Sequence, residues 1–289
     1  MQVSLECVPC YLRQVLNAMQ HGEIPAEEQG KILDQILLEI PQLDKTATPA
    51  LNSSLLLHRL QEMAGVGDLF QEAKEKSNEQ ALALLPLLRE MVSEADWPLE
   101  LAVKLAVAGN IVDLGILQDY DLEASIRQVL HEPFTIYHLP ALAQDLRTAR
   151  KVLIIGDNSG EIIFDSLLVE QLLALDLEVT YSVKAGPILN DATREDAEAA
   201  GLPRLCRVID TGNNFLGVVP ERSGQEFLQA MAEADVVISK GQANYESLEG
   251  TELAGEKTYF LLKAKCPLVA AHLGVELGDL VLKKNDLRR

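Results

Sequence analysis

From Lys151 onward the chain changes texture, and that change constrains its fold more than any other feature: short, unbroken aliphatic runs begin to alternate with stretches of helical period. Val152 to Ile155, Val179 to Val183, Arg207 to Ile209, Val236 to Ser239, Thr258 to Leu262 and Leu280 to Leu282 read as strands. Ile162 to Leu175, a segment around Asp191 to Ala200, and Gln225 to Glu233 read as helices between them. Strands without polar alternation need burial on both faces, which implies a mostly parallel sheet covered by helices. The expected fold class is α/β, with the sheet at the centre of a three-layer α/β/α sandwich.

Up to about residue 145 the period is helical throughout. Apolar residues recur at three and four in Cys10 to Met19, Ile32 to Ile40, Leu55 to Met63, Ala81 to Met91 and Leu99 to Val107. Turn and capping residues separate these segments, as in Ile24-Pro25-Ala26 and Thr46 to Pro49. Each amphipathic helix must bury its stripe against a neighbour. Two parts are therefore expected, an all-helical subdomain over residues 1–148 and an α/β subdomain over 149–289, the first packed over a cleft at the strand ends of the second.

The charge balance removes several function classes. With 25 Lys plus Arg against 44 Asp plus Glu the net charge is −19, and no basic run offers a surface for a polyanion, so a nucleic-acid partner is not expected. Glu6, Arg13 and two cysteines interrupt the first twenty residues, and no apolar stretch reaches about 18 residues, so neither a targeting segment nor a membrane helix is expected. Four cysteines are too few for a disulfide framework, which points to a reduced, cytoplasmic protein. Cys7 and Cys10 form a CxxC pair, a pattern that can hold a metal or shuttle electrons. No protein partner is deducible.

In parallel sheets ligands gather where strands end and helices begin, so the loops there are the first place to look for chemistry. After Ile155 comes Gly156-Asp157-Asn158-Ser159-Gly160-Glu161: two oxygen-bearing side chains that suit a hard cation, beside small residues whose amides can face an anion at a helix start. After Val183 a second loop carries Asn190 and Asp191, again adjacent. Each pair alone reads equally well as a helix cap. Two such loops at neighbouring strand ends place three or four oxygen donors within reach of one ion, with positions left for water and substrate. The third loop, Lys240-Gly241-Gln242-Ala243-Asn244-Tyr245-Glu246, offers a cation, a glycine and two amides, and in so acidic a chain a phosphate would need local positive charge from Lys240, Lys263 or Lys265.

Together GDNSGE, GPILNDAT, KGQANYESL, FLLKAKC and the amino-terminal CVPC resemble the metal-dependent damage-control phosphatase family, in its stand-alone, cysteine-containing prokaryotic branch. The resemblance spans the whole chain. GDLFQEAKEKSN, with Asp68, Lys74 and Asn78, and AVAGNIVDLG, with Asn110 and Asp113, resemble further family motifs. It implies one divalent cation, Mg²⁺, Mn²⁺, Co²⁺ or Ni²⁺, held by Asp157, Asn158 and Asp191. It also implies substrate contacts from Glu161, Gly241, Asn244, Tyr245 and a lysine matching Lys263 or Lys265. Here Phe260-Leu261-Leu262 stands where other members have an Arg-Thr dipeptide before that lysine.

The expected function is metal-dependent hydrolysis of phosphomonoesters of small metabolites, sugar phosphates or phosphorylated and damaged cofactor fragments. Asp157, Asn158, Asp191 and Lys240 are the candidate catalytic residues, and Ser159, Gly160, Glu161, Asn190, Gly241, Asn244, Tyr245, Lys263, Lys265 and Asn110 the candidate substrate contacts. Two readings of other classes stand beside it: a metal-binding or redox module centred on Cys7 and Cys10, and a non-catalytic binder of phosphorylated metabolites.

Overall fold

The computed structural model describes residues 1–107, 126 and 130–287; Asn110 and Asp113 lie outside the described residues. Among the described residues five α-helices come first: α1 (Cys7–His21), α2 (Ala26–Glu39), α3 (Pro49–Ala64), α4 (Gln71–Glu94) and α5 (Pro98–Val107). Then follow β1 (Phe134–Tyr137), α6 (Leu139–Leu146), β2 (Lys151–Ile155), α7 (Glu161–Leu173), β3 (Glu178–Val183), α8 (Arg194–Ala199) and β4 (Arg207–Asp210). The chain continues through α9 (Gln225–Glu233), β5 (Val236–Lys240), α10 (Gln242–Leu248), β6 (Thr258–Lys263), α11 (Pro267–Leu273) and β7 (Leu280–Lys284). Among the described residues no helix is long and apolar enough to cross a membrane.

The seven strands among the described residues form one sheet in the order β1-β7-β6-β5-β2-β3-β4, parallel except for the antiparallel pair β6 and β7. From β2 the chain moves outward to β3 and β4, then returns to place β5 on the other side of β2. That reversal opens a crevice at the carboxyl ends of β2, β3 and β5, because the connections leave those ends in opposite directions.

Strand residues alternate between two cores, as the period of two requires. Val152, Ile154, Val179 and Tyr181 face one side, where α7 lies, and α4 and α5 pack outside α7. Leu153, Ile155, Val237 and Phe260 face the other, against α9, α10 and α11. Since α7 has the sheet on one flank and helices on the other, it is apolar all round, and Ile162, Ile163, Phe164, Leu167, Leu168, Val169 and Leu172 are fully buried. A third core, built from α1, α2 and α3, closes on Ile188 and Leu216, which belong to loops at the strand ends.

Two elements depart from the sequence reading. The helical period up to about residue 145 has an exception in β1, an edge strand of four residues paired in parallel with β7 and too short to register as a period of its own. The helix expected from about Asp191 starts at Arg194, where a capping box fixes it: Thr193 N and Oγ1 both donate to Asp196 Oδ2, at 2.7 and 2.8 Å. Asn190 and Asp191 therefore lie in the loop ahead of the helix, free to face the crevice.

Because α7 is enclosed on every side, truncating it leaves a void that cannot collapse. Leu167→Ala is expected to lower unfolding free energy by about 2–5 kcal/mol in urea titrations. A loss under about 1 kcal/mol would place that side chain nearer the surface than the packing does.

Candidate active site

The first site loop is held shut by its own backbone. Gly156 N donates to Ser182 O at 2.9 Å, Ser159 N to Asn190 O at 2.9 Å, and Ala192 N to Asp157 O at 2.8 Å, while Asn158 and Asp191 form a short β-bridge. The loops after β2 and β3 are thus laced together, which brings Asp157, Asn158 and Asp191 to one place. Asn158 Nδ2 donates to Asp157 Oδ2 at 3.0 Å, an amide orientation that leaves Asn158 Oδ1 for a ligand.

Two glycines permit this packing. Gly156 lies under Tyr181, whose hydroxyl would be 2.7 Å from an added Cβ. Gly241, with φ of +82°, lies against Asp157, and an added methyl group would overlap the Asp157 carboxylate. The backbone of the loop after β5 thereby forms the wall behind the carboxylate, a close approach only glycine allows. Asn244 joins the same two loops from within, its Nδ2 donating to Gly156 O at 3.1 Å and Lys240 O at 2.7 Å.

The helical part supplies the other wall. Asn78 of α4 accepts from Gly160 N at 2.7 Å through Oδ1 and donates to Asp196 Oδ1 at 2.7 Å through Nδ2. Lys74, one turn earlier, lies 3.1 Å from Asp68 and 3.3 Å from Asp196. The amides of Ser159 and Gly160, expected to face an anion, are therefore used to fix the loop to its neighbours, which is a correction to their reading as anion donors.

Three carboxylates crowd the floor. Burial, then Glu161 and Asp191, push the Asp157 carboxyl up to about 8. Burial also raises Asp191 against the pull of Lys184 and Lys74. Lys184 lies 3.7 Å from Asp191 and donates to Gly217 O at 2.6 Å. Lys240 is only 1% exposed and sits beneath the floor, 2.7 Å from Asp165 and 3.6 Å from Glu161.

A cavity of about 590 Å³ opens above. Asp157, Asn158, Glu161, Asn190, Asp191, Gly241, Lys263 and Lys265 are among the residues that line it. Lys265 is near enough for its charge to favour ionised Asp157, and Lys263 lies 3.7 Å from Glu132. Ser159, Gly160, Lys240, Asn244 and Tyr245 are not on its wall. Tyr245 belongs to the core on the far side of the sheet, where its hydroxyl meets His272 Nδ1 at 2.8 Å and its ring stands edge-on to Phe260. The roof comes from α1 and α3 and includes Cys7 and Cys10, with Cys266 on the opposite lip. All four cysteines are free. Burial and the neighbouring Cys266 and Cys7 raise the Cys10 thiol, opposite to what a reactive thiolate needs.

Asp165, Tyr181, Lys184 and Asp196 were not singled out by sequence reasoning. Asp165 carried a signal, being the only charged residue between Glu161 and Glu170 in an otherwise apolar helix.

The donor set fits a hard divalent cation. Among the described residues no three His, Cys, Asp or Glu side chains are grouped to hold a metal by themselves, so the protein offers two carboxylates and an amide oxygen. Such a set leaves most positions to water and substrate, the habit of Mg²⁺ and of catalytic sites. Carboxylates forced together without hydration also gain most from a cation.

A family model described as the damage-control phosphatase ARMT1-like domain matches residues 3–281. A damage-control phosphatase of Pyrococcus horikoshii is 36% identical, covering 100% of this chain and 100% of its own length. Another, from Archaeoglobus fulgidus, is 34% identical over 78% of each chain. The crystal structure of a DUF89 family protein from Pyrococcus horikoshii superposes with a TM-score of 0.91 at 34% identity, covering 99% of this chain and 100% of that one.

Two outcomes follow from the crowded floor. Without a cation, Asp157 holds its proton more tightly folded, at about 8, than unfolded, so metal-free stability falls as pH rises through that interval. Asp157→Asn should therefore raise the metal-free melting temperature at pH 8 and change it little near pH 4; an equal shift at both would deny the carboxylate this role. Gly241→Ala should displace the loop after β5 or the Asp157 side chain, seen as weakened Mn²⁺ binding by calorimetry, and parent-like affinity would show that the wall is compliant.

Proposed function

We propose that this chain, which belongs to the damage-control phosphatase ARMT1-like family, hydrolyses phosphomonoesters of small metabolites with the help of one divalent cation. The substrates are sugar phosphates or phosphorylated and damaged cofactor fragments. The observation that carries this reading is the meeting of Asp157, Asn158 and Asp191 at the sheet's reversal point, on the floor of a cavity with lysines on its wall.

Asp157, Asn158 and Asp191 would hold the cation, which when bound polarises the phosphoryl group as a Lewis acid. Lys263 and Lys265 come from the end of β6 and the loop after it, and their ammonium groups compensate charge on the phosphoryl oxygens. Glu161 lies beside Asp157 on the cavity wall and contacts the substrate or its attacking water. Asn190 donates from the second loop. The remaining volume, under α1 and α3, admits the rest of a small metabolite. The free thiols suit a reducing compartment, and we place the protein in the cytoplasm.

Asp157→Ala and Asp191→Ala should each abolish Mg²⁺- or Mn²⁺-dependent release of phosphate from a panel of sugar phosphates while leaving the circular dichroism spectrum unchanged. Either variant retaining parent turnover would remove that residue from the mechanism. Lys263→Met or Lys265→Met should weaken inhibition by inorganic phosphate by about 1.5–3 kcal/mol, the range for hydrogen bonds to charged groups, with Mn²⁺ affinity preserved. A parent protein that binds phosphate esters without turning any over would instead be a phosphometabolite binder.

A further inference from the structure

Helix α7 carries one charge into the interior. Asp165 is fully buried among the apolar side chains of that helix, where a carboxylate is retained only if it is closely paired. It has two partners. Lys240 Nζ lies 2.7 Å from Oδ1 and 2.8 Å from Oδ2, and the Tyr181 hydroxyl donates to Oδ2 at 2.6 Å.

These three residues come from the elements that carry the three site loops. Lys240 ends β5 and precedes Gly241, whose backbone backs the Asp157 carboxylate. Tyr181 of β3 fills the space under Gly156. Glu161 stands one helical turn before Asp165, on the same face of α7, and its Oε2 lies 3.6 Å from Lys240 Nζ. The ammonium is thus held between Asp165 below and the carboxylates of the floor above.

We infer that Asp165 is a positioning residue for the cation site: it holds the Lys240 ammonium beneath the floor, so that the Asp157 carboxylate stays open to the cation rather than pairing with lysine. The inference rests on the reading of Asp157 as a ligand. Its physical content is a competition. Lys240 is buried and needs a counter-charge, and once Asp165 is neutral the remaining carboxylates in reach are Glu161 and, beyond it, Asp157. An ammonium drawn onto them would occupy negative charge the cation requires. Lys240 thereby has a role distinct from Lys263 and Lys265, which stand on the cavity wall.

The test is calorimetric titration of Mn²⁺ alone into the parent, Asp165→Asn, the double variant Asp165→Asn/Lys240→Met, and Tyr181→Phe. Asp165→Asn is expected to weaken Mn²⁺ binding about ten-fold or more, the scale for partners that orient metal ligands. The double variant, which removes the competing ammonium together with its anchor, should return to within roughly three-fold of the parent. Tyr181→Phe, which leaves the ion pair intact, should stay within the same roughly three-fold limit. A residue that merely supports the fold would give a double variant as weak as Asp165→Asn, and that result overturns the inference, as does parent-like binding by Asp165→Asn. Should Asp165→Asn fail to fold, Lys240→Met and the double variant carry the test: both are expected to bind Mn²⁺ within roughly three-fold of the parent, and a greater loss in either overturns it. A parent that binds neither Mn²⁺ nor Mg²⁺ would overturn the cation reading and this inference with it, whereas failure of the variants alone overturns only the inference.

Discussion

Carboxylates gathered where water is scarce set the terms for the rest of this structure. Asp157, Glu161 and Asp191 share the cavity floor, with Asp165, Asp196 and Asp68 close behind, and the buried ammonium groups of Lys74, Lys184 and Lys240 stand among them. Six carboxyl groups gathered around three buried ammonium groups is an arrangement that folding alone disfavours. Its retention makes sense where an external cation completes the balance, as active sites commonly hold groups away from their ordinary ionisation. The raised Asp157 and Asp191 carboxyls register that incomplete balance directly.

Holding such a floor in place requires more than the sheet. Gly156 and Gly241 bring backbone and ring to van der Waals distance, and Asn244 fastens the loops after β2 and β5 from inside. Asn78 and Lys74 do the same from α4, so the helical part is a structural partner of the site as well as its roof. Removing the helices would leave Gly160 N and Asp196 without their buried partners, a cost paid by the very loops that form the site.

The layering follows from one helix. Because α7 presents apolar side chains away from the sheet as well as toward it, α4 and α5 must cover its outer flank. The same helix begins at Glu161 and carries Asp165 one turn further, so the element that joins the two parts of the chain also carries charge to the underside of the floor. Packing of the helical part and electrostatics of the site are coupled through it.

The sequence by itself determined the α/β class, nearly every strand, and the three loops whose side chains meet at the crevice, because unbroken apolar runs and their flanking polar residues report burial and chain reversal locally. It also marked Asp157, Asn158, Asp191, Glu161 and the wall lysines as candidates, since oxygen donors at consecutive strand ends are visible as spacing. What it could not show is which polar residues turn toward the cavity. Lys240 and Tyr245 sit in one motif with Gly241, yet Lys240 lies beneath the floor and Tyr245 in the opposite core, while Gly241, Gln242, Ala243 and Glu246 reach the cavity. Asp165 and Tyr181 acquire their meaning only when β3, β5 and α7 are brought together, and β1 becomes a strand only by pairing with β7, which lies more than 140 residues further along. Sequence period records how each segment is buried, whereas partner, direction and charge balance arise from contacts between segments far apart in the chain, and these the tertiary structure alone decides.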